Sequence, residues 1–306
     1  MILIVASNED TGSLNIKRGL LLKGRWEKRG IFDENEYFEY VSEKKRGSVA
    51  ERESIILSTI NKHHLYYDEV DKKFEEKTGM KPDNVIFISR HKSVSNLRTL
   101  TVHPIGNFHK AEYGGKERTL VPSCPQLMSE SLRKLWACAQ GLGYQISYEA
   151  THHGPYLSTP TYYIEVGSDE NAWNDERAGD SIAQALISTF ETDSAEIEKR
   201  PVVVGIGGGH YMPRMTEVAT HSKVSFGHMV PTYAFENMTD EMWKMAFKYT
   251  PGAKGVYFHK KGMPKPKLRE LQERIASLGF EIYNSKELDL MDGEKTCKMG
   301  ERKKDS

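Results

Sequence analysis

The sequence is poor in cysteine: Cys124, Cys138 and Cys297 are its only three, and none forms a CxxC pair. This scarcity argues against a disulfide framework or a cysteine-rich zinc module, and it is typical of a reducing compartment. The formal net charge is zero, so no overall field attracts nucleic acid. The opening apolar run is too short for a signal peptide, and no run is long enough to span a bilayer. We expect a cytoplasmic monomer that does not contact membranes.

Strand candidates alternate with amphipathic helix candidates along the chain. The strand candidates are residues 2–7, 85–88, 145–150, 162–166, 201–206, 224–229 and 255–259. The helix candidates are residues 13–23, 126–142, 172–190, 239–249 and 267–278. Strands separated by helices predict a mainly parallel sheet covered on both faces. We therefore predict an α/β protein with a single three-layer α/β/α domain over residues 1–291. Residues 292–306 are polar and charged and predict a loose tail.

Six of the eleven histidines lie in short segments rich in Gly, Pro, Ser and Thr, namely His91, His103, His152, His153, His210 and His228. Imidazole titrates near neutral pH and is the side chain that metals bind most often. Three of these segments follow predicted strands, and parallel sheets gather ligands at the carboxyl ends of their strands. The pattern predicts a functional site. The remaining histidines, by contrast, have polar neighbours and are expected at the surface: His63, His64, His109, His221 and His259.

The pair His152 and His153 is the strongest single signal. Adjacent side chains that leave a strand point to opposite sides, so one histidine can enter a cleft while the other orients it. The alternative is a turn with two exposed histidines. Glu165 lies on an apolar strand, where a carboxylate is either a paired structural charge or a metal ligand and general base. We predict His152, His153 and Glu165 as catalytic residues.

Several imidazoles and one carboxylate on neighbouring strand ends are enough for a zinc site that keeps an open position. The candidate ligands are His91, His103, His152 and His210. The sequence contains no HExxH motif and no helical i, i+4 histidine pair, so spacing alone does not establish the metal. The alternative is that these histidines are structural.

A glycine-rich loop follows the strand at residues 201–206, and its amides suit a phosphate, a carboxylate or an oxyanion. We predict Gly207, Gly208 and Gly209 as oxyanion donors. The loop has neither the Gly-Lys-Ser/Thr ending of a Walker loop nor the spacing of a dinucleotide fingerprint. The alternative is a close-packed turn that needs positive φ, which accounts for the glycines but not for His210.

Polar residues around these segments are candidates for substrate binding. Ser89 and Arg90 directly follow a predicted strand, and Asn107 offers both a donor and an acceptor. Basic side chains are concentrated at residues 17–29 and 254–267, which include Lys260 and Lys261. Such runs are usually solvated faces and are only a weak indication of an RNA backbone contact.

The chain resembles the archaeal and plant-type D-aminoacyl-tRNA deacylases. The segments that carry the resemblance are residues 2–7, 89–93, 100–107, 151–155, 165–168, 205–214 and 227–228, in this order. The resemblance implies hydrolysis of the ester that joins a D-amino acid to tRNA, a chiral proofreading reaction, with Zn²⁺ as cofactor. It also implies an α/β/α fold related to phosphorylases, peptidyl-tRNA hydrolases and zinc exopeptidases. Residues 30–78 match least and are expected to be a lineage-specific elaboration.

Residues and resemblance together suggest zinc-activated water, which has a pKa of about 7, with the glycine amides as oxyanion donors. Arg214, Lys260 and Lys261 are expected to hold the end of the tRNA. Two alternatives remain open. One is a zinc exopeptidase or amidohydrolase that acts on small amino-acid derivatives without RNA. The other is a non-enzymatic RNA-binding protein with structural histidines.

Overall fold

The chain is built around two β-sheets, seen in a computed structural model that describes residues 1–42, 47–94, 96–285 and 287. The larger sheet has eight strands and the smaller has four. The prediction of an α/β fold with a large, mainly parallel sheet and flanking helices is confirmed. A second sheet was not predicted as a separate unit. The predicted tail at residues 292–306 lies outside the described residues.

The larger sheet is mixed in direction. Its strands in spatial order are β2 (Trp26–Phe32), β3 (Asn35–Tyr40), β4 (Ile55–Ile60), β1 (Ile2–Ser7), β5 (Asn84–Lys92), β10 (Thr161–Ser168), β6 (Thr99–His103) and β9 (Gln145–Tyr148). The central strands β4, β1, β5 and β10 are parallel. Strand β6 is antiparallel to β10, and β9 is parallel to β6. Because β6 and β9 run opposite to β5 and β10, the carboxyl end of β6 lies beside the first half of β10, with His103 opposite Tyr163.

The smaller sheet is entirely parallel, with the order β12 (Ser225–Val230), β11 (Val202–Ile206), β13 (Ala253–Phe258) and β14 (Glu281–Tyr283). A two-stranded ribbon is formed by β7 (Gly106–Asn107) and β8 (Thr119–Leu120). The helices are α1 (Thr11–Lys23), α2 (Val49–Arg52), α3 (Val70–Thr78), α4 (Pro125–Cys138), α5 (Glu170–Trp173), α6 (Glu176–Phe190), α7 (Ser194–Glu198), α8 (Pro213–His221), α9 (Asp240–Lys248) and α10 (Lys265–Ser277). None of the helices in the described ranges is long and apolar enough to cross a membrane.

Alternation along the central strands divides the core into two layers. On β10, Ile164 and Val166 pack with α1, α4 and α6 on one face of the larger sheet. Tyr163 belongs to the cluster on the opposite face, together with Phe87 of β5 and Phe74 of α3. Because side chains alternate along a strand, Ser89, His91 and Glu165 project from this second face. The fold thus directs polar side chains of β5 and β10 to the same surface.

Residues 30–78 contribute to the larger sheet itself. They supply β3, β4, α2 and α3, and β4 pairs with β1 in parallel register from Ile2 opposite Ile55 to Ser7 opposite Ile60. Whether this segment is a lineage-specific elaboration stays a prediction. The helix predicted at residues 172–190 is divided in two, because Asp175 caps a new helix by accepting a hydrogen bond from the Arg177 amide.

Candidate active site

Five histidines and two glutamates meet on one face of the larger sheet, beside the carboxyl halves of β5 and β10 and the residues that end or follow β6 and β9. This histidine cluster consists of His91, His103, His152, His153, His210, Glu149 and Glu165. His91 and Glu165 come from β5 and β10, and His103 ends β6. His210 follows a strand of the smaller sheet. The predicted site histidines, apart from His228, are therefore brought together, although they come from two sheets rather than from one edge.

Glu149 is at the centre of the cluster, and the sequence analysis missed it. It directly follows β9 and is fully buried. Its Oε1 lies 3.3 Å from His91 Nδ1, and its Oε2 lies 3.1 Å from His210 Nε2. His152 Nε2 is 3.5 Å from the same Oε2. Neither oxygen has a hydrogen-bond partner among the described residues. A buried, unsatisfied carboxylate is costly, so it indicates a missing partner.

Glu165 forms a second centre beside the first. Its Oε2 lies 3.5 Å from His91 Nδ1 and 3.5 Å from His103 Nε2. The His103 Nε2 atom is buried without a hydrogen-bond partner among the described residues. Glu165 is only 3% exposed and lies beside two histidines, a position that fits both a paired structural charge and a metal ligand.

Three histidines of the cluster are oriented by backbone carbonyls. The Nδ1 atom of His103 lies 3.2 Å from the Pro104 carbonyl, and that of His152 lies 2.8 Å from the Ala150 carbonyl. His153 Nδ1 is 2.6 Å from the carbonyl of Gly154. A carbonyl only accepts, so each Nδ1 carries a proton. The Nε2 atoms of His152 and His153, whose pKa values burial lowers, offer a lone pair, whereas burial opposes a charge on His103 but Glu165 raises its pKa. This arrangement is typical of metal-binding histidines.

The donor set fits a zinc ion. Two ligands about 2.1 Å from a tetrahedral zinc are separated by about 3.4 Å, and the carboxylate–imidazole distances above span 3.1–3.5 Å. His91, Glu149 and His210 form one triad of potential ligands, and His103, His152 and His153 form a second that shares no member with it. Nitrogen and carboxylate oxygen donors suit zinc. The distances and the unsatisfied buried atoms are those expected of residues that can hold a metal ion.

Burial and the carboxylate–imidazole contacts shift the pKa values of the cluster in opposite directions. Burial favours neutral acids, but His91 and His103 hold the pKa values of Glu149 and Glu165 below their ordinary range. Burial lowers the pKa of His153 to about 3 and that of His152 well below its usual value. Burial opposes a charge on His91, yet Glu149 and Glu165 raise its pKa to about 10. A bound cation would replace that proton.

Ser89 and Arg90 are fixed by a buried aspartate. Asp10 Oδ2 accepts hydrogen bonds of 3.0 Å from both the Ser89 hydroxyl and the Arg90 amide. The Arg90 guanidinium lies over the Trp173 ring, 4.9 Å from its centre. Asn107 donates to the carbonyls of Gly114 and Lys116. The Asn107 side-chain amide therefore fixes the loop that contains Gly114 and Lys116.

The backbone conformation of the loop accounts for two of its glycines. Gly207 and Gly208 have φ angles of 98° and 103°, which supports the alternative of a turn that needs positive φ. The Gly207 amide donates to the Val230 carbonyl over 2.9 Å, so it is engaged within the fold and is not a free oxyanion donor. Only Gly208 and Gly209 remain candidates for that role.

Arg214, Lys260 and Lys261 lie apart from the histidine cluster. They line a cavity of about 860 Å³ at the carboxyl ends of β13 and β14 and the start of α8, a cavity whose lining includes no member of the cluster. Arg214 donates to Tyr257 and Ser285 and pairs with Glu217. These residues can contact a large substrate only at a distance from the cluster.

His64 and His228 are both fully buried and lie outside the histidine cluster. The prediction that His64 is a surface residue is wrong: it is fully buried, and its Nε2 lies 3.2 Å from the Val5 carbonyl. His228 is also buried, with Nδ1 3.0 Å from the Thr151 hydroxyl and Nε2 3.0 Å from the Val121 carbonyl. It supports the segment that carries His152 rather than facing the cluster.

Two cavities meet at the histidine cluster. The larger, of about 870 Å³, is lined by Arg90, His91, Glu165 and Trp173 among others. The smaller, of about 400 Å³, is lined by Asn107, Phe108, Tyr233 and Ala234 among others. Both are lined by the same four side chains, Tyr113, His152, His153 and His210. The cluster is therefore accessible from two sides.

Fold and site together define an α/β protein with a buried histidine–carboxylate centre suited to hydrolysis. Residues 78–283 match the family model of D-aminoacyl-tRNA deacylases. The chain is 35% identical over 284 residues to the D-aminoacyl-tRNA deacylase of Pyrococcus furiosus, covering 92% of this chain and 99% of the relative. It is 36% identical over 285 residues to that of Pyrococcus horikoshii, with the same shares covered. The chain belongs to the D-aminoacyl-tRNA deacylase family, whose members are hydrolases.

A solved structure is similar over nearly the whole chain. It is described as a conserved protein of unknown function, AF0625, and superposes with a TM-score of 0.81 at 28% identity. The match covers 95% of this chain and 99% of that one. The resemblance found in the sequence is confirmed, as is the α/β architecture.

Proposed function

We propose that the chain hydrolyses the ester bond of D-aminoacyl-tRNA to a free D-amino acid and tRNA, with Zn²⁺ bound in the histidine cluster. The names of the curated relatives support the substrate. The observation that carries the chemistry is Glu149, a buried carboxylate without a hydrogen bond that faces three histidine nitrogens. Bound zinc would lower the pKa of a water ligand to about 7 and so supply hydroxide at neutral pH.

The ligand set follows from three overlapping groups of side chains. His91, Glu149 and His210 would hold one ion, with His152 Nε2 3.5 Å from the same carboxylate. The groups His103, Glu149 and Glu165 and His103, His152 and His153 offer further positions. The Tyr211 hydroxyl lies 3.1 Å from His91 Nε2 and orients that ring. Removing a side chain that orients a metal ligand in this way typically lowers metal affinity or activity by about 10- to 100-fold.

The reaction adds water to the ester carbonyl and breaks the bond to the ribose oxygen, which leaves as a hydroxyl after it gains a proton. Glu165 is buried beside His91 and His103; it would accept the proton of the attacking water and pass it to the ribose oxygen as the ester bond breaks. His153 lines both cavities and would position the ester. The amides of Gly208 and Gly209 remain candidate donors to the oxyanion.

The tRNA itself needs a contact beyond the ester. Arg214, Lys260 and Lys261 line the separate cavity, and basic side chains bind phosphates with release of counterions. We assign the tRNA backbone to this surface. The protein is further expected to be cytoplasmic and monomeric.

One experiment tests this function against both alternatives. The protein is incubated with D-tyrosyl-tRNA, L-tyrosyl-tRNA and a small D-tyrosine ester, each with and without a chelator followed by zinc. We expect fast hydrolysis of D-tyrosyl-tRNA that chelation abolishes and zinc restores. Hydrolysis of the small ester at a comparable rate would favour an exopeptidase or amidohydrolase. Binding of tRNA without turnover would favour an RNA-binding protein.

A further inference from the structure

We propose that the substrate lies across the two cavities, with the terminal nucleoside of the tRNA in the larger and the D-amino-acid side chain in the smaller. This inference rests on the proposed function and adds an orientation to it. The starting observation is that His152, His153 and His210 line both cavities. An ester held at these side chains has its two halves on opposite sides of them.

The larger cavity suits a nucleoside. Arg90 lies over the ring of Trp173, and Trp173 Nε1 donates to the His91 carbonyl over 2.8 Å, which fixes the indole. Unpaired bases stack on aromatic rings and on arginine guanidinium planes. Lys92 also lines this cavity and carries a charge of the sign that a phosphate attracts. The volume is about 870 Å³ against about 400 Å³ for the smaller cavity, and a nucleoside is the larger half of the substrate.

The smaller cavity suits an amino-acid side chain. Phe108 and Ala234 are 7% and 3% exposed and form an apolar wall, whereas Tyr233 is 58% exposed. Tyr113 also lines this cavity. The loop that carries it is fixed by Asn107, which donates hydrogen bonds to the carbonyls of Gly114 and Lys116. Apolar and aromatic walls with a few polar groups are typical of sites for small ligands.

This orientation also gives a physical basis for chirality. With the ribose and the carbonyl held in place, the L enantiomer must exchange its side chain with another substituent of Cα. The ammonium group or the hydrogen atom then faces Phe108 and Ala234. An ammonium group against the buried part of this wall loses its hydration, which is unfavourable; the carboxylate that lines the same cavity, Glu112, is at an exposed position. A hydrogen atom there leaves the wall without a contact.

The test compares two variants on two substrates, D-tyrosyl-tRNA and D-alanyl-tRNA. Ala234→Leu fills the smaller cavity, so we expect the ratio of kcat/KM for tyrosyl over alanyl to fall by about 10- to 100-fold. Tyr233 lines the smaller cavity at an exposed position, where the tyrosyl side chain of the substrate reaches it and the alanyl side chain does not. Tyr233→Ala should therefore also lower the ratio of kcat/KM for tyrosyl over alanyl. Tyr66→Ala, another exposed tyrosine that lines neither cavity, is the matched control and should not move the ratio.

Trp173→Ala probes the other half of the substrate. We expect KM to rise by about 10-fold for both substrates, because stacking is lost, with no change in their ratio. D-tyrosyl-adenosine, which retains only the terminal nucleoside, should show the same rise. A changed ratio for Trp173→Ala, or an unchanged ratio for both Ala234→Leu and Tyr233→Ala, overturns the orientation while the proposed function stands. A wild-type protein that hydrolyses no D-aminoacyl-tRNA refutes both.

Discussion

Replacement of Glu149 by glutamine separates a metal ligand from a structural ion pair. The substitution keeps the size of the side chain but removes the charge that faces His91, His152 and His210 at 3.1–3.5 Å. If these atoms surround zinc, the variant has a weaker ligand at the centre of the site. We expect zinc content and hydrolysis of D-aminoacyl-tRNA to be lost together.

The size of the effect follows from linkage. A ligand that binds only the folded state at 100 times its Kd stabilises the protein by about 2.7 kcal/mol. At about 2 °C per kcal/mol for a chain of this length, zinc should raise the wild-type Tm by about 5 °C. If Glu149→Gln weakens binding 100-fold, the same zinc concentration contributes only about 0.4 kcal/mol. The zinc-dependent shift should then fall below about 1 °C.

The assay is thermal unfolding of metal-free protein with and without added zinc, together with metal analysis. Glu130→Gln is the matched control, because Glu130 is also buried but pairs with Arg200 and Arg133, away from the cluster. It should lower Tm equally with and without zinc and leave the zinc-dependent shift intact. A Glu149→Gln protein that keeps its zinc, its shift and its activity would refute the reasoning.

Three further predictions follow from other parts of the molecule. His152→Ala should remove zinc and hydrolysis together, because its Nε2 faces Glu149, whereas His153→Ala should reduce single-turnover rates by about 10- to 100-fold; equal effects would contradict this ranking. Replacing Lys260 and Lys261 by alanine should raise KM for tRNA substrates and reduce the salt slope by about 2, with little change in kcat; the same slope as for Lys77→Ala, a control outside the cavity, would remove this surface from the interface. Burial lowers the pKa of His64 to about 4, below about 6.5 in the unfolded chain, so its stabilising contribution is complete above pH 6.5 and lost as pH falls toward 4. Urea unfolding should show up to about 3 kcal/mol less stability at pH 4 from this residue, and His64→Gln should flatten the profile between these pH values.

The sequence pattern predicted the central strands well because their apolar runs are short and bounded by turn residues. Strand β11 begins and ends within one residue of the prediction, and β1 matches it. The histidine-bearing loops were found for a similar reason, since Gly and Pro mark the ends of these strands. Local chemistry was sufficient for these features.

Glu149 and His64 were missed because their burial depends on distant parts of the chain. Glu149 looked like one polar residue in a strand, although an acid in an apolar run was the same signal that identified Glu165. It is covered by the loop of the smaller sheet, through a bridge to Tyr211. His64 has polar neighbours in sequence, but its ring packs against Phe87 and Tyr163. These contacts join residues that are far apart in the chain, so residue spacing in the sequence predicts neither of them.

Backbone hydrogen bonds at the junction of the two sheets bring His210 into the cluster. The chain beyond β9 pairs with the smaller sheet: the Ala150 amide donates to the His210 carbonyl over 2.8 Å, and the Thr151 amide donates to the Met229 carbonyl over 3.0 Å. The same short segment carries Glu149 and leads directly into His152. Backbone hydrogen bonds therefore fix the distance between His210, in the loop after β11, and the Glu149 carboxylate. The cluster depends on the packing of both sheets, so substitutions at this junction should weaken the proposed metal binding even where they leave the cluster side chains unchanged.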